Sequence, residues 1–278
     1  MYYYNYRMVT NVLELQNKLI GLGFNKDDIV SGSNQMTFNS GSNYPPNTQR
    51  KIDNDLNSNI LKKGVKLDNT RNDVNLKRHL LSFNGRYERY DPISKRAIPN
   101  YSENYFIYLV GHGGDKYMKI RYLEIMFSRH FSDFFEELFI SNKVSQAFVF
   151  SDTCSAGTLF YTVDKKARAF MIGSSGWDEY STSDGSDEYI GQALRDKSSF
   201  VFFEMLQEMI NTKKDYKMSD FIGRLKKASP ELNPLNFNFL KKPRSKISMR
   251  QFLVPDQSYE ELDLQAEVIK AKNLFGIN

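Results

Sequence analysis

The sequence predicts an α/β fold in which a mostly parallel central sheet carries helices on both faces. Two continuous apolar runs of strand length, residues 105–110 and 147–150, have the composition of parallel strands buried on both faces. Amphipathic segments with apolar residues at helical spacing alternate with such runs. This alternation of strand and helix, without an internal repeat, favours a layered architecture over separate all-helical or all-strand parts.

The predicted elements follow one another as helices and strands separated by polar loops. Residues 8–22 form the first helix, which ends at Gly21 and Gly23. Residues 31–72 and 84–104 are rich in polar residues and are expected to be loops. The remaining elements, in chain order, are a strand at 29–30, a helix at 74–83, a strand at 105–110, a helix at 123–138, strands at 147–150 and 167–172, helices at 200–210 and 218–227, a strand at 247–254 and a helix at 258–274.

Composition excludes several classes of protein. The 278 residues include 26% charged and 40% hydrophobic residues, as in ordinary globular domains. The net charge of +5 is spread along the chain in short lysine clusters, which are typical of solvated surfaces and disfavour nucleic-acid binding. No apolar run of about 18 residues predicts a transmembrane helix. The N-terminus lacks the pattern of a secretory signal, and the single cysteine, Cys154, cannot form an internal disulfide.

Two glycine-flanked segments stand out because each follows a predicted buried strand. The segment at 111–114 contains His112, and the segment at 152–157 contains Cys154. The carboxyl ends of parallel strands form one edge of a sheet, and active sites collect at that edge. We therefore expect His112 and Cys154 to lie close together.

An imidazole beside a thiol is the pairing that cysteine-nucleophile chemistry needs. A free thiol has a pKa of about 8.5, so its reactive thiolate is scarce at neutral pH without a neighbouring base. We interpret Cys154 as the nucleophile and His112 as its base. The N–H groups of Gly113 and Cys154 would bind the oxyanion. Either side chain alone is more often structural, and only the combination favours catalysis.

Asn5 and Arg7 directly precede the first predicted helix. Asn is a common helix N-cap, and the residues alone favour that interpretation of Asn5. In the functional alternative, Asn5 orients His112 and Arg7 points into a substrate pocket.

These segments resemble the motifs of the catalytic subunits of glycosylphosphatidylinositol (GPI) transamidases. Residues 104–114 and 148–154 are similar to the histidine and cysteine motifs of that family, and residues 5–7 match its Asn-Tyr-Arg. Legumain-type asparaginyl peptidases and caspases are more distant members of the same clan, so the resemblance implies a three-layer caspase-like sandwich. The resemblance extends from Tyr4 to about Phe252 and includes further segments at 172–175, 189–191 and 196–200.

The resemblance implies a mechanism. The cysteine of such an enzyme attacks the carbonyl of a small residue upstream of a C-terminal signal, and the amine of a GPI lipid then displaces the thioester. Cys154 would be the nucleophile, His112 the base and then the acid, and Asn5 would orient the imidazole. Gly113 and Cys154 would supply the oxyanion N–H groups. The pocket for the cleaved residue would be lined by Arg7, Ser174, Ser175 and Asp178.

The resemblance also implies partners and a cellular location. The expected partners are the other subunits of a membrane-bound GPI transamidase complex, the C-terminal signal peptide of a proprotein and a GPI lipid, and no nucleic acid. The expected location is the lumenal face of the endoplasmic reticulum. Since the chain predicts neither a signal peptide nor a transmembrane helix, partner subunits would hold it at the membrane. No cofactor is expected.

The chain departs from the family pattern at its N-terminus and at the family's cation site, among other positions. It begins inside the family's first strand, so we expect a catalytic domain over residues 1–256 with an incomplete N-terminal strand, followed by a helical tail over 257–278. Asp68 and Ile29 align with the family's structural cation site, but lysines stand where its carboxylates are expected. Because these cations would repel a divalent ion, we expect no bound metal.

Two alternatives stay open. A legumain-like asparaginyl cysteine endopeptidase would use the same catalytic residues, although the glycines at 113–114 and the Asp-Thr-Cys at 152–154 favour the transamidase. A degenerate, non-catalytic scaffold subunit is the other alternative. The complete set of predicted catalytic residues opposes it.

Overall fold

A computed structural model of the chain describes residues 6–24, 29, 89–91, 96–98, 103–119, 125–140, 144–186 and 193–255. The helices predicted at 74–83 and 258–274 and the tail at 257–278 lie outside the described residues, as does part of the strand predicted at 29–30. The domain boundary at residue 256 therefore stays a prediction.

A four-stranded sheet forms the centre of the described structure. Side by side, its strands are β11 (Leu235–Asn238), β8 (Ala169–Gly173), β7 (Val144–Asp152) and β3 (Glu103–Val110). β3, β7 and β8 are parallel, whereas β11 runs antiparallel to β8. The predicted mostly parallel sheet is confirmed.

Three smaller sheets occur among the described residues besides the central one. One is a hairpin of β1 (Arg89–Asp91) and β2 (Arg96–Ile98), and another pairs β9 (Ser183–Ser186) with β10 (Ala193–Asp196). A third contains β4 (Gly113–Gly114), β5 (Tyr117–Lys119) and β6 (Ile125–Phe127). This third sheet begins one residue after His112, so it fixes the backbone on that side of the predicted site.

Helices cover both faces of the central sheet. They are α1 (Tyr6–Gly21), α2 (Ser128–Ile140), α3 (Lys197–Thr212), α4 (Met218–Ala228) and α5 (Arg250–Leu253), with 3-10 helices at Ala156–Phe160 and Arg244–Lys246. None of these described helices is both long enough and apolar enough to cross a membrane.

Alternate side chains of the central strands fill two hydrophobic cores on opposite faces of the sheet. On β7, Phe148 and Phe150 pack with residues of α1, α3, α4 and α5. Their neighbours Ala147 and Val149 pack against α2 on the other face. All four side chains are fully buried. This arrangement confirms the predicted helix, sheet and helix layers.

Three predictions about the elements are wrong. The loop expected at 84–104 contains the short strands β1 and β2 and the first residues of β3. The helix expected at 123–138 begins only at Ser128, because residues 125–127 alternate between exposed and buried side chains and pair with β5. The strand expected at 247–254 is instead a turn followed by α5, whose apolar residues join the core. One edge of the described sheet is formed by β11. This strand contains two asparagines, a residue type that is depleted in strands, so the sequence pattern does not predict it.

Candidate active site

Cys154 lies two residues beyond the end of β7, in a segment that we call the cysteine turn, residues 153–157. Ser155 has a left-handed backbone conformation, with φ 50° and ψ 32°, and a 3-10 helix begins directly after it. Thr153 and Ser155 are buried, whereas Cys154 is half-buried. The turn therefore leaves the thiol partly accessible within a closely packed segment.

Ser175, which follows β8, holds the cysteine turn at several points. Its hydroxyl donates to the carbonyl oxygen of Thr153 at 2.8 Å and accepts the N–H of Ala156 at 3.1 Å. Its own carbonyl oxygen accepts the N–H of Gly157 at 2.9 Å. These bonds lie on both sides of Cys154 in the sequence, so they fix its backbone.

Glycines allow the turn to pack directly against β8. A Cβ atom on Gly173 would overlap the backbone of Gly157. A Cβ atom on Gly157 would overlap the side chain of Leu235, on the edge strand β11. Only glycine leaves room for this close approach of backbone to backbone.

His112 lies at the matching position beyond β3. In the parallel pairing, Val110 aligns with Asp152, so His112 and Cys154 each lie two residues past the last aligned pair. The N–H of Gly111 donates to the carbonyl oxygen of Asp152 at 3.4 Å, which extends the pairing by one bond. The fold thus brings these two residues to neighbouring places on one edge of the sheet.

The surroundings of His112 favour its neutral form. Although the residue is exposed on one side, its pKa is lowered, first because contact with the protein removes solvent from the imidazole, then because of the positive charges of Arg7 and Lys119. The N–H of Lys119 donates to the carbonyl oxygen of His112 at 2.8 Å. A neutral imidazole is the form that can accept a proton.

The backbone of Gly113 lies against the cysteine turn. A Cβ atom at this position would be 2.6 Å from the hydroxyl oxygen of Thr153 and 2.9 Å from the carbonyl oxygen of Cys154. Such contacts exclude a side chain without a shift of the turn. The predicted oxyanion residues Gly113 and Cys154 are therefore close in space, while their role stays a prediction.

Arg7 binds a buried carboxylate that no sequence motif marks as functional. Its Nε lies 2.8 Å from Oδ1 of Asp196, and Nδ2 of Asn11 donates to Oδ2 at 2.7 Å. The pKa of Asp196 is raised to about 7, first by burial and then by the negative charge of Asp152, against the lowering effect of Arg7 and Asn11. Arg7, Asp196 and His112 therefore share one electrostatic environment.

Asp152 is a second buried acid beneath the cysteine turn. Its carboxylate accepts hydrogen bonds from the hydroxyl of Ser181 at 2.6 Å and from the N–H and hydroxyl of Ser199 at 2.8 and 2.6 Å. Ser199 also bonds to the hydroxyl of Tyr108 at 2.6 Å. A charged residue at the end of a buried strand, two positions before a cysteine, is the sequence signal that marks it.

The other predicted pocket residues divide into buried and exposed positions. Ser174 and Ser175 are fully buried, and the Ser174 hydroxyl lies 3.5 Å from the carbonyl oxygen of Thr153. Asp178 is exposed and has a left-handed φ of 58°. Asn5 lies outside the described residues. The structure therefore brings the serines to the cysteine turn, and their role in substrate binding is still a prediction.

No group of three or more His, Cys, Asp and Glu side chains within the described ranges is arranged to hold a metal ion. Ile29 is the described member of the cation site considered above, and Asp68 lies outside the described residues. Around Cys154 and His112, the described residues present a thiol, an imidazole and backbone N–H groups.

A parallel α/β sheet with a cysteine and a histidine past the ends of neighbouring strands suits a thiol-dependent hydrolase or transferase. The sequence profile of the Peptidase C13 family matches residues 1–220. The chain belongs to this family.

Several relatives of the chain carry the name GPI-anchor transamidase. The chain is 27% identical to the Saccharomyces cerevisiae protein of that name over 209 residues, which cover 75% of this chain and 50% of the relative. It is 26% identical to the Schizosaccharomyces pombe protein over 84% of this chain and 62% of the relative. Identity to the human protein is 28% over 79% of this chain and 55% of the relative. The chain thus spans about half to three fifths of the length of these relatives, and the resemblance noted in the sequence is confirmed.

Proposed function

We propose that the chain carries the catalytic centre of a GPI transamidase, in which Cys154 is acylated by a proprotein and a GPI lipid accepts the acyl group. The placement of His112 and Cys154 past neighbouring parallel strands, with Gly113 against the cysteine turn, is the observation that carries this proposal. The names of the relatives support transfer as the reaction.

The first step forms a thioester. His112 accepts the thiol proton, and the sulfur of Cys154 attacks the carbonyl carbon of a small residue upstream of the C-terminal signal. The N–H groups of Gly113 and Cys154 stabilise the oxyanion. His112 then donates the proton to the leaving nitrogen, the peptide bond breaks, and the signal peptide departs. Asn5 orients the imidazole in this scheme.

The second step transfers the acyl group to an amine. The amine of the GPI lipid attacks the thioester, His112 accepts its proton, and the proton returns to the sulfur of Cys154 as the new amide forms. Water competes at roughly 55 M, but a positioned amine can reach an effective molarity of ~10⁵ M or more. Binding of the lipid head group beside the thioester is therefore what separates transfer from hydrolysis.

The residue before the cleaved bond binds between α1 and the segment after β8. Arg7 and Asp178 line this pocket, and Ser174 and Ser175 form its buried wall. The lowering of the His112 pKa by Arg7 supports the proximity of that guanidinium to the reacting groups.

The proposed setting is the endoplasmic reticulum. The other subunits of a GPI transamidase complex hold the chain at the lumenal face of the membrane. The proprotein signal and the GPI lipid reach it there. This setting rests on the names of the relatives.

A legumain-like endopeptidase is the second candidate, and the family's description as a peptidase favours it. In that enzyme water, rather than an amine, resolves the thioester.

Product analysis separates the candidates. The purified chain, with any subunits that copurify, is given a peptide with a small residue at the cleavage point together with hydroxylamine. We expect mainly the hydroxamate, and none with Cys154→Ala. If only the free acid forms at high amine concentration, the endopeptidase is favoured over the transferase. If neither product forms, the scaffold alternative is favoured.

A further inference from the structure

Two aromatic side chains are exposed on one short segment beside the cysteine turn. We call this segment the aromatic loop, residues 176–180. Trp177 and Tyr180 are 64% and 75% exposed, the largest fractions among the large apolar side chains of the described residues. Exposed apolar side chains on a segment that is bonded to the turn of a candidate nucleophile are typical of a binding surface.

Hydrogen bonds anchor the aromatic loop firmly. The Glu179 carboxylate accepts the N–H of Gly176 at 2.6 Å and the backbone and side-chain N–H groups of Asn233 at 2.8 and 2.5 Å. The carbonyl oxygen of Glu179 accepts the N–H of Ser155, next to Cys154, at 2.8 Å. The aromatic side chains are therefore presented from a fixed backbone, and ordering them costs little on binding.

Asp178 gives the aromatic loop its shape and its charge. Its left-handed φ of 58° turns the chain between the two aromatic residues, and its side chain is exposed. An exposed carboxylate between the two rings disfavours an acidic partner.

The order of strands identifies the part of the substrate that meets this loop. Cys154 follows β7, His112 follows β3 on one side of it, and the aromatic loop follows β8 on the other side. His112 must donate a proton to the leaving nitrogen, so the departing part of the substrate lies toward β3. The acyl part, which stays on Cys154, extends toward β8 and the aromatic loop.

We propose that Trp177 and Tyr180 bind an apolar side chain of the substrate's acyl part, one or two residues upstream of the cleaved bond, and so make the enzyme selective for apolar over acidic residues there. This proposal rests on the proposed function for the identity of the occupant. Burial of a leucine side chain against the two rings predicts a preference of about tenfold or more.

The sole tryptophan of the chain reports on this surface directly. The full chain with Cys154→Ala binds without turnover, so the emission of Trp177 can be followed while peptides are added. The probes are two synthetic peptides that differ only in Leu or Asp one residue upstream of the cleaved residue, and a second pair with the same change on the leaving side. We expect a shift of emission to shorter wavelength and about tenfold tighter binding for Leu upstream, with little discrimination on the leaving side.

Substitutions at two exposed tyrosines complete the test. Tyr180→Ala in the same background should weaken binding of the upstream-Leu peptide about fivefold and leave the upstream-Asp peptide nearly unchanged. Tyr161→Ala removes a ring that is 46% exposed and lies outside the aromatic loop. This substitution should not change the affinity for either peptide.

The outcomes separate this proposal from the proposed function. Binding without a shift, equal binding of Leu and Asp peptides, discrimination only on the leaving side, or no peptide binding would each overturn the proposal. A Trp177 response that appears only with a partner subunit would also overturn it and make the loop a subunit interface. If the wild-type chain transfers no acyl group while the upstream discrimination persists, the proposed function falls and the peptide-binding surface stands.

Discussion

The cysteine side and the histidine side of the candidate site are built in different ways. The cysteine turn is mostly buried, is bonded to residues that follow β8, and packs through glycines that admit no side chain. The histidine segment, residues 111–114, contains an exposed imidazole. Its last two residues form the short strand β4, which pairs with β5. The difference shows that packing fixes the proposed nucleophile, whereas short backbone pairing and nearby charges set the state of the proposed base.

Removing either proposed catalytic side chain tests whether the two sides act as one unit. We expect Cys154→Ala and His112→Ala each to lower the rate of peptide aminolysis by at least ~1,000-fold, and the double variant to be little worse than either. Thermal unfolding should show that the fold of each variant is retained. Effects that multiply in the double variant would mean that His112 supports the structure instead of the chemistry.

A methyl group added on the cysteine side should lower the stability of the fold. Gly173→Ala places a Cβ atom into the backbone of Gly157, and we expect a loss of about 1–3 kcal/mol in the free energy of unfolding. Gly223→Ala is the matched control on α4, where no atom lies within 4 Å of the new Cβ, and should stabilise by roughly 0.5–1 kcal/mol. Urea unfolding measures both, and equal effects would contradict the close packing of the turn.

Ser175 tests what its hydroxyl does for the cysteine turn. Ser175→Ala leaves buried backbone groups of Thr153 and Ala156 without that partner, which should cost about 1–3 kcal/mol of stability and lower kcat with little change in KM. Ser183→Ala, at an exposed position, should stay within about 0.5 kcal/mol of the original chain. A rise in KM with an unchanged kcat would mean that Ser175 acts mainly through substrate binding and not by fixing the cysteine turn.

The smallest expected effect concerns charge on the histidine side. The positive charge of Lys119 lowers the pKa of His112, so Lys119→Gln should raise that pKa. His112 then becomes protonated at a higher pH on acidification, and the acidic limb of the kcat/KM profile should move upward by roughly a few tenths of a pH unit. Lys116→Gln, which removes an exposed charge that does not contribute to this shift, is the control. If the acidic limb does not move, the pH dependence of kcat/KM does not arise from protonation of His112.

The elements that carry the two proposed catalytic residues could be predicted because their signals are local. β3 and β7 are apolar runs long enough to be recognised as buried parallel strands, and the motifs follow them directly in the sequence. β11 could not be recognised, because its pairing with β8 supplies the stability that its own residues do not.

The acids beneath the site were harder to predict because their partners are distant in the sequence. Asp196 belongs to the candidate site because its carboxylate accepts hydrogen bonds from Arg7 and Asn11, which lie on the first helix of the structure. Glu179 likewise acts through Asn233, 54 residues further along the chain. Periodicity and motif spacing describe residues that are near one another in the sequence, so they do not predict contacts between such distant pairs.

The bond between Arg7 and Asp196 has a consequence for biosynthesis. These residues are 189 positions apart, so at ~5–20 residues per second the ribosome needs roughly 10–40 s to deliver the second after the first. Cys154 is translated before Asp196, and before Asn233 as well. The thiol therefore emerges before the acids and amides that complete its surroundings, and a nascent chain cannot assemble the site until Asn233 has been made.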